Sequence, residues 1–170
     1  MNDLLAWALQ KARKQTLTLV EDLSDEQMSL QSVNGENHPT WILGHLLLGD
    51  IYLLSLLKVQ ELSEDFSKLL TKYGPGTTPI SSAEFYDSKK ILVERLTQTN
   101  ELRVETVRQM KIEDLAEPIP DKILAQTQPT IGHHLQTLVF HEGHHAGQLS
   151  AWRKTQGISA IKGAFAPEGF

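Results

Sequence analysis

Apolar residues recur at three- and four-residue steps through nearly the whole chain, whereas the two-residue alternation of a half-buried strand is almost absent. That pattern confines the fold to the all-α class. After the potential caps Asn2 and Asp3, residues Leu4, Leu5, Ala8, Leu9, Ala12, Leu17, Leu19 and Val20 predict a first helix to about Leu23. Ser24 and Gln27 have capping-box spacing for one short helical turn, and Asn34, Gly35 and Asn37 then mark a loop. Pro39 and Thr40 suit the first turn of a second helix, which runs to about Lys58. From about Val59 to Ser81 there is only one amphipathic piece, Ser63 to Leu70, before the breakers Gly74, Pro75, Gly76 and Pro79. Ser81 and Glu84 form another capping-box pair, predicting a third long helix through Phe85, Ile91, Leu92, Leu96, Leu102, Val104 and Val107 to about Met110. The polar, proline-punctuated segment Glu113 to Pro129 separates it from a fourth, which spans about Thr130 to Gln156 and stops at Gly157. The glycine-rich tail, Ile158 to Phe170, reads as irregular.

Four long helices with a connection of about twenty residues between the second and third predict a four-helix bundle with a long crossover rather than simple up-down hairpins. With no internal repeat or low-complexity tract, residues 1–170 read as a single domain. A chain of that length, 40% hydrophobic and 22% charged, buries roughly 70% of its unfolded surface, enough for one core. Trp41 to Leu57 is strongly apolar but shorter than the ~20 residues of a membrane span, and it contains His45 and Asp50. A buried bundle helix is the expectation, with no membrane partner.

Charge and cysteine content narrow the function. A net charge of −5 and a pI near 5.8, with lysines and arginines scattered, argue against a nucleic-acid partner. The absence of cysteine excludes disulfides, thiolate ligands and a cysteine nucleophile, so any thiol chemistry would use an external thiol. MNDLLAWALQKARK lacks a basic n-region and a small-residue cleavage site, so a cytoplasmic location is expected.

The seven histidines are confined to two places. His38 and His45 accompany the second helix; His133, His134, His141, His144 and His145 crowd the fourth. His141 and His145, at i and i+4, share one helical face at a spacing suited to one transition metal. At about 100° per residue, His134, Gln148 and Trp152 fall on the same side, and His144 lies nearby. The face of His45 carries Trp41, Gly49 and Tyr52, and Gly49 leaves room beside the imidazole. If the two faces meet, His45, His141 and His145 form a three-nitrogen site with a position left open. Tyr52, His134, Glu142 and Gln148 are the candidates to orient those ligands from behind. Trp41 and Trp152 are candidate pocket walls or core residues. His144 is a candidate proton shuttle, or else a solvated or dimer-contact residue; His38 and His133 have no assigned role.

Two motifs carry a resemblance. GHLLLGD, containing His45, and HEGHHAGQLSAWR, in which His145, Ala146, Gly147 and Gln148 read as His-x-Gly-Gln, resemble the DinB/YfiT-like metalloprotein superfamily over nearly the whole chain. The resemblance implies an up-down-down-up four-helix bundle, one divalent metal, Zn or Ni foremost, on His45, His141 and His145, and a homodimer. Relatives often carry arginine where this chain has Ala146. The resemblance also implies a thiol S-transferase that uses a low-molecular-weight thiol on a small-molecule substrate. Other readings are a metal-dependent hydrolase and a non-catalytic, dimeric stress-response protein in which a fourth ligand such as His134 closes the site. A zinc protease is a further alternative, because His141, Glu142 and His145 match H-E-x-x-H with Glu142 as general base, with Glu168 at a tolerable distance for a third ligand. No convincing strand offers an edge for peptide.

Overall fold

The computed structural model describes residues 2–161 and is all-helical. Six α-helices follow in order: α1 (Asn2–Thr18), α2 (Asp25–Met28), α3 (Pro39–Leu56), α4 (Glu64–Tyr73), α5 (Lys89–Gln109) and α6 (Ile131–Thr155). Short 3-10 turns at Ile112–Ala116 and Leu124–Gln126 lie between α5 and α6. Among the described residues there is no strand, only a bridge of Pro118 with Thr130 that pins the approach to α6. Glu168 and the tail beyond residue 161 lie outside the described residues.

Local chemistry explains most boundaries, including those that differ from expectation. α1 ends at Thr18 rather than near Leu23: the chain turns there, and the Leu19 carbonyl accepts from Arg153 Nη1 at 2.9 Å. Leu19, Val20 and Leu23 are still buried, but in the turn. The Ser24/Gln27 capping box forms, with Ser24 N donating to Gln27 Oε1 at 2.8 Å. α5 starts at Lys89, capped by Ser88, and not at Ser81/Glu84. The intervening residues strap α4 instead: Tyr73 Oη donates to Asp87 Oδ2 at 2.7 Å and accepts from Asp87 N at 2.9 Å. Thr130 caps α6, and Gly157, at φ +67°, adopts the left-handed conformation that ends it.

His38, without a role in the sequence, caps α3. Its Nδ1 accepts the Trp41 N–H at 3.3 Å, which leaves Nε2–H to donate to the Ile80 carbonyl at 3.1 Å. One buried imidazole thus starts α3 and ties down the segment after α4.

α1 packs on α5 and α6, and α3 packs on α4, α5 and α6. α3 is long and apolar enough to cross a membrane by length and composition, yet 72% of it is buried against its neighbours. A helix that is apolar on all sides needs partners on all sides, and the other helices supply them. Each fully buried Leu in α3, such as Leu43, Leu47, Leu53 and Leu54, contributes about 1.5–3 kcal/mol by leaving water.

A buried charge network joins all four long helices. Arg13 of α1 donates to Asp50 of α3 at 2.8 Å and to Glu142 of α6 at 2.5 Å; Arg103 of α5 donates to the same carboxylates at 2.5 and 3.0 Å. Thr99 Oγ1 adds a hydrogen bond to Asp50 at 2.7 Å. Burial alone would raise the Asp50 pKa, but Arg103 and Arg13 outweigh it and hold the carboxylate below its usual range. Burial likewise works against the Arg13 charge, and Asp50 and Glu142 overcome it. Two cations and two anions leave the network neutral.

Candidate metal centre

α3 and α6 bring His45, His141 and His145 together. Nε2 of His141 lies 3.2 Å from Nε2 of His45 and 3.0 Å from Nε2 of His145, and one nitrogen from each of the three histidines lies within 4.8 Å of the others. Nitrogens bound tetrahedrally at about 2.0–2.1 Å from one zinc would stand about 3.3 Å apart, close to the two separations from His141. The i, i+4 spacing puts two imidazoles on one face of α6; the packing of α3 brings up the third.

Two rings are oriented from behind. A carbonyl can only accept, so His45 Nδ1–H donates to the Tyr73 carbonyl, at 2.8 Å, and its Nε2 carries a lone pair. In the same way His145 Nδ1–H donates to Gln148 Oε1 at 2.8 Å. Gln148 is fixed in turn by Asn37 Nδ2, 3.3 Å from the same oxygen, and by His144 Nε2, which accepts from its Nε2 at 3.1 Å. The lone pairs of His45 and His145 therefore both face His141, whose ring can offer no more than one N–H there. A cation that accepts several lone pairs at once suits this donor set, and nitrogen ligands without carboxylates favour a transition metal over calcium or magnesium.

Electrostatics points the same way. Burial lowers the His141 pKa to about 4, helped by His45, and lowers that of His145 to about 3, helped by His141; burial also depresses His45. All three are neutral at pH 7, the form that ligates metal.

Around the cluster, the Trp41 ring stacks on His45, with centroids 4.7 Å apart and planes at 10°. Trp152 is core: it is buried and its indole N–H donates to the Leu30 carbonyl. A cavity of about 520 Å³ opens beside the cluster, lined by His45 and His141, the apolar Leu48, Phe66 and Leu138, and the more distant Tyr52 and His134. Gly49 also lines it; a Cβ there would meet only Leu138, at 3.6 Å.

The four candidate orienting residues divide. Gln148 stands behind His145. Tyr52 donates to Asp121 at 3.3 Å, and His134 Nδ1 bonds Gln128 at 2.5 Å, so neither holds a cluster histidine. Glu142, expected behind the ligands or as the general base of H-E-x-x-H, is buried with both oxygens taken by Arg13 and Arg103. The H-E-x-x-H reading needs that carboxylate beside the metal, and the arginines hold it elsewhere. His133 and His144 are exposed.

The Tyr73 carbonyl and Gly44 are the contributors that the sequence did not reveal. A Cβ at position 44 would fall inside the Tyr73 ring, so only glycine lets Tyr73 lie against α3 with its carbonyl at His45. Their only sequence trace is a glycine next to a histidine.

The chain belongs to the DinB superfamily, whose family model matches residues 8–149. No curated protein matches it. Membership in that superfamily and three histidines close enough to hold one metal ion agree.

Proposed function

We propose that this single-domain protein is a metal-dependent enzyme of the thiol S-transferase type, with one zinc or nickel ion per chain on His45, His141 and His145. The observation that carries the reading is the convergence of three neutral Nε2 atoms at the wall of a cavity lined mostly by apolar side chains. His45, His141 and His145 would hold a divalent ion, which would supply Lewis acidity and lower the pKa of a thiol bound beside them. The thiol comes from outside, because the chain has no cysteine. Its sulfur forms the new bond to an electrophilic substrate, whose leaving group departs with the bonding electrons while the thiol proton passes to solvent. Tyr73 and Gln148 keep His45 and His145 in one tautomer, and the apolar wall keeps bulk water from competing. His134, bonded through Nδ1 to Gln128 and outside the three-histidine group, is not positioned as a fourth ligand, which favours a catalytic over a closed structural site.

The four long helices form the up-down-down-up bundle of the family in this reading. The adjacency of α1 with α5 and α6, and of α3 with α5 and α6, supports it. Exposed Leu4 and Trp7 on α1 and Phe140 on α6 support a homodimer. The protein works in the cytoplasm on small molecules.

Elemental mass spectrometry of tag-free protein tests the site. About one tightly held metal per chain is expected, lost in His45→Ala and His145→Ala while the helical circular-dichroism signal persists. Metal-dependent thioether formation from a low-molecular-weight thiol and monobromobimane then tests the reaction class. Wild-type protein that stays metal-free and refuses added zinc and nickel would sink the assignment; a loaded protein that leaves the rate unchanged would sink thiol transfer alone.

A further inference from the structure

Two apolar side chains of α4 stay partly in water although a core lies beside them. Phe66, Leu69, Leu70 and Tyr73 recur at helical spacing. Leu69 and Tyr73 enter the core, whereas Phe66 is half-buried and Leu70 is 45% exposed. A single exposed leucine needs no explanation. These two side chains, at i and i+4, both line the cavity beside the histidine cluster, as do Leu48 of α3, Leu138 of α6 and Leu124 of the turn before α6. His45 and Tyr52, also lining it, are seven residues apart on α3, so the cavity extends about 10 Å along that helix from the cluster.

Charge limits what can enter. Among the described residues no lysine or arginine lines the cavity, and Asp121 is its one charged side chain. That carboxylate accepts from the N–H groups of Leu124 and Ile123 at 3.0 and 2.8 Å and from the Tyr52 hydroxyl at 3.3 Å, which keep it ionised. An anionic ligand would meet a carboxylate there and no cation. We propose that the cavity binds a small molecule with an uncharged apolar chain or ring, seated against Phe66 and Leu70 of α4, with its reactive end at the three histidines. That this molecule is the electrophile of the reaction rests on the thiol-transfer reading above; the seat on α4 does not. Phe66 and Leu70 are thus specificity residues. The same helix supplies the Tyr73 carbonyl that orients His45, so the seat and the metal ligands share one support.

The test titrates the full-length protein with butan-1-ol, pentan-1-ol and hexan-1-ol, and with hexane-1-sulfonate, following leucine methyl signals by NMR. Affinity is expected to rise about fourfold for each added methylene, and the sulfonate to bind at least about tenfold more weakly than hexan-1-ol. Leu70→Ser should weaken hexan-1-ol binding at least about fivefold. Leu102→Ser, at a 41% exposed leucine of α5 that does not line the cavity, should stay within about twofold. As a readout independent of any variant, hexan-1-ol should shift the wild-type methyl signals of Leu70 and Leu138 and leave those of Leu102 in place. Affinity that ignores chain length, a sulfonate that binds as tightly as the alcohol, or Leu70→Ser matching wild type overturns the proposal. Zinc-loaded protein given 2-mercaptoethanol with 1-bromohexane or bromoethane separates the two readings. In that reaction the sulfur-to-carbon bond forms as the carbon-to-bromine bond breaks, bromide leaves with the electron pair, and the thiol proton goes to buffer. Turnover with a lower KM for 1-bromohexane, raised in Leu70→Ser, supports both readings; an equal KM for the two bromides overturns the seating of the electrophile. No turnover with either bromide, with the hexan-1-ol result intact, sinks thiol transfer and leaves the seat on α4 standing.

Discussion

Replacing Gly44 by alanine adds one methyl group where α3 meets Tyr73, and its effect on metal affinity follows from two contacts. The new Cβ would sit inside the Tyr73 ring, so either the ring or the backbone must move. Overpacking of this kind costs about 1–3 kcal/mol of stability. Moving Tyr73 also withdraws the carbonyl that accepts from His45 Nδ1 at 2.8 Å. Loss of such an outer partner weakens metal binding by about 10–100-fold, or roughly 1.4–2.8 kcal/mol. The matched control is Gly49→Ala, one helical turn after His45, where the added Cβ makes an ordinary contact with Leu138 at 3.6 Å. Zinc affinity is measured by competition with a chromophoric chelator, with circular dichroism confirming that each variant is folded under the assay conditions. Gly44→Ala should bind about 10–100-fold more weakly than wild type, while Gly49→Ala should stay within about twofold. A folded Gly44→Ala with wild-type affinity would refute the claim that Tyr73 orients His45.

Further outcomes are expected elsewhere. Gln148→Leu removes the acceptor behind His145 Nδ1 and should also weaken zinc binding by about 10–100-fold in the chelator competition. Glu142→Gln leaves Arg13 and Arg103 sharing Asp50 and should destabilise the fold by about 3–5 kcal/mol in urea titrations, with metal stoichiometry unchanged; loss of metal without loss of stability would instead place Glu142 at the ion. In chelator-treated protein, burial lowers the His134 pKa to about 4 and depresses His38. The unfolded chain therefore binds more protons than the folded one below about pH 6.5, so the stability these groups contribute is full above that pH and falls as the pH drops toward 4. Each unit of separation is worth about 1.4 kcal/mol, and urea midpoints between pH 7 and 4 measure it; midpoints that rise on acidification would contradict the burial of neutral imidazoles.

How far the sequence reaches depends on whether a feature is local. The i, i+4 pair His141 and His145, the Ser24/Gln27 box, Pro39 in the first turn of α3 and the Gly157 stop are set within a few residues, and each has its expected local form. The all-helical class follows from the same short-range periodicity. Features set by distant contacts were not legible. Ser81/Glu84 has the spacing of a cap, but Asp87 is engaged by Tyr73, so α5 starts later. α1 stops early where Arg153, far along the chain, takes the Leu19 carbonyl. Glu142 reads as a partner of the metal ligands because nothing local shows that arginines from two other helices converge on it. The His45 partner is a backbone carbonyl, which no side-chain pattern can announce. Gly49 was singled out for the space it leaves at His45, yet Gly44 has the tighter requirement, being pressed against Tyr73 from a segment separated in sequence.

The four-way charge network has a consequence for how the protein meets its metal. Its members come one from each long helix, and Glu142 directly follows His141 in the chain. A slip of α6 by one residue would turn it about 100°, leaving the buried Arg13 and Arg103 with Asp50 as their one carboxylate. Ion pairing inside the molecule therefore indexes the rotation of α6, and with it the aim of His141 and His145, before any ion arrives. The polypeptide builds its own jig: the metal would enter a socket already cut to size, leaving its binding energy free of the cost of assembling the helices.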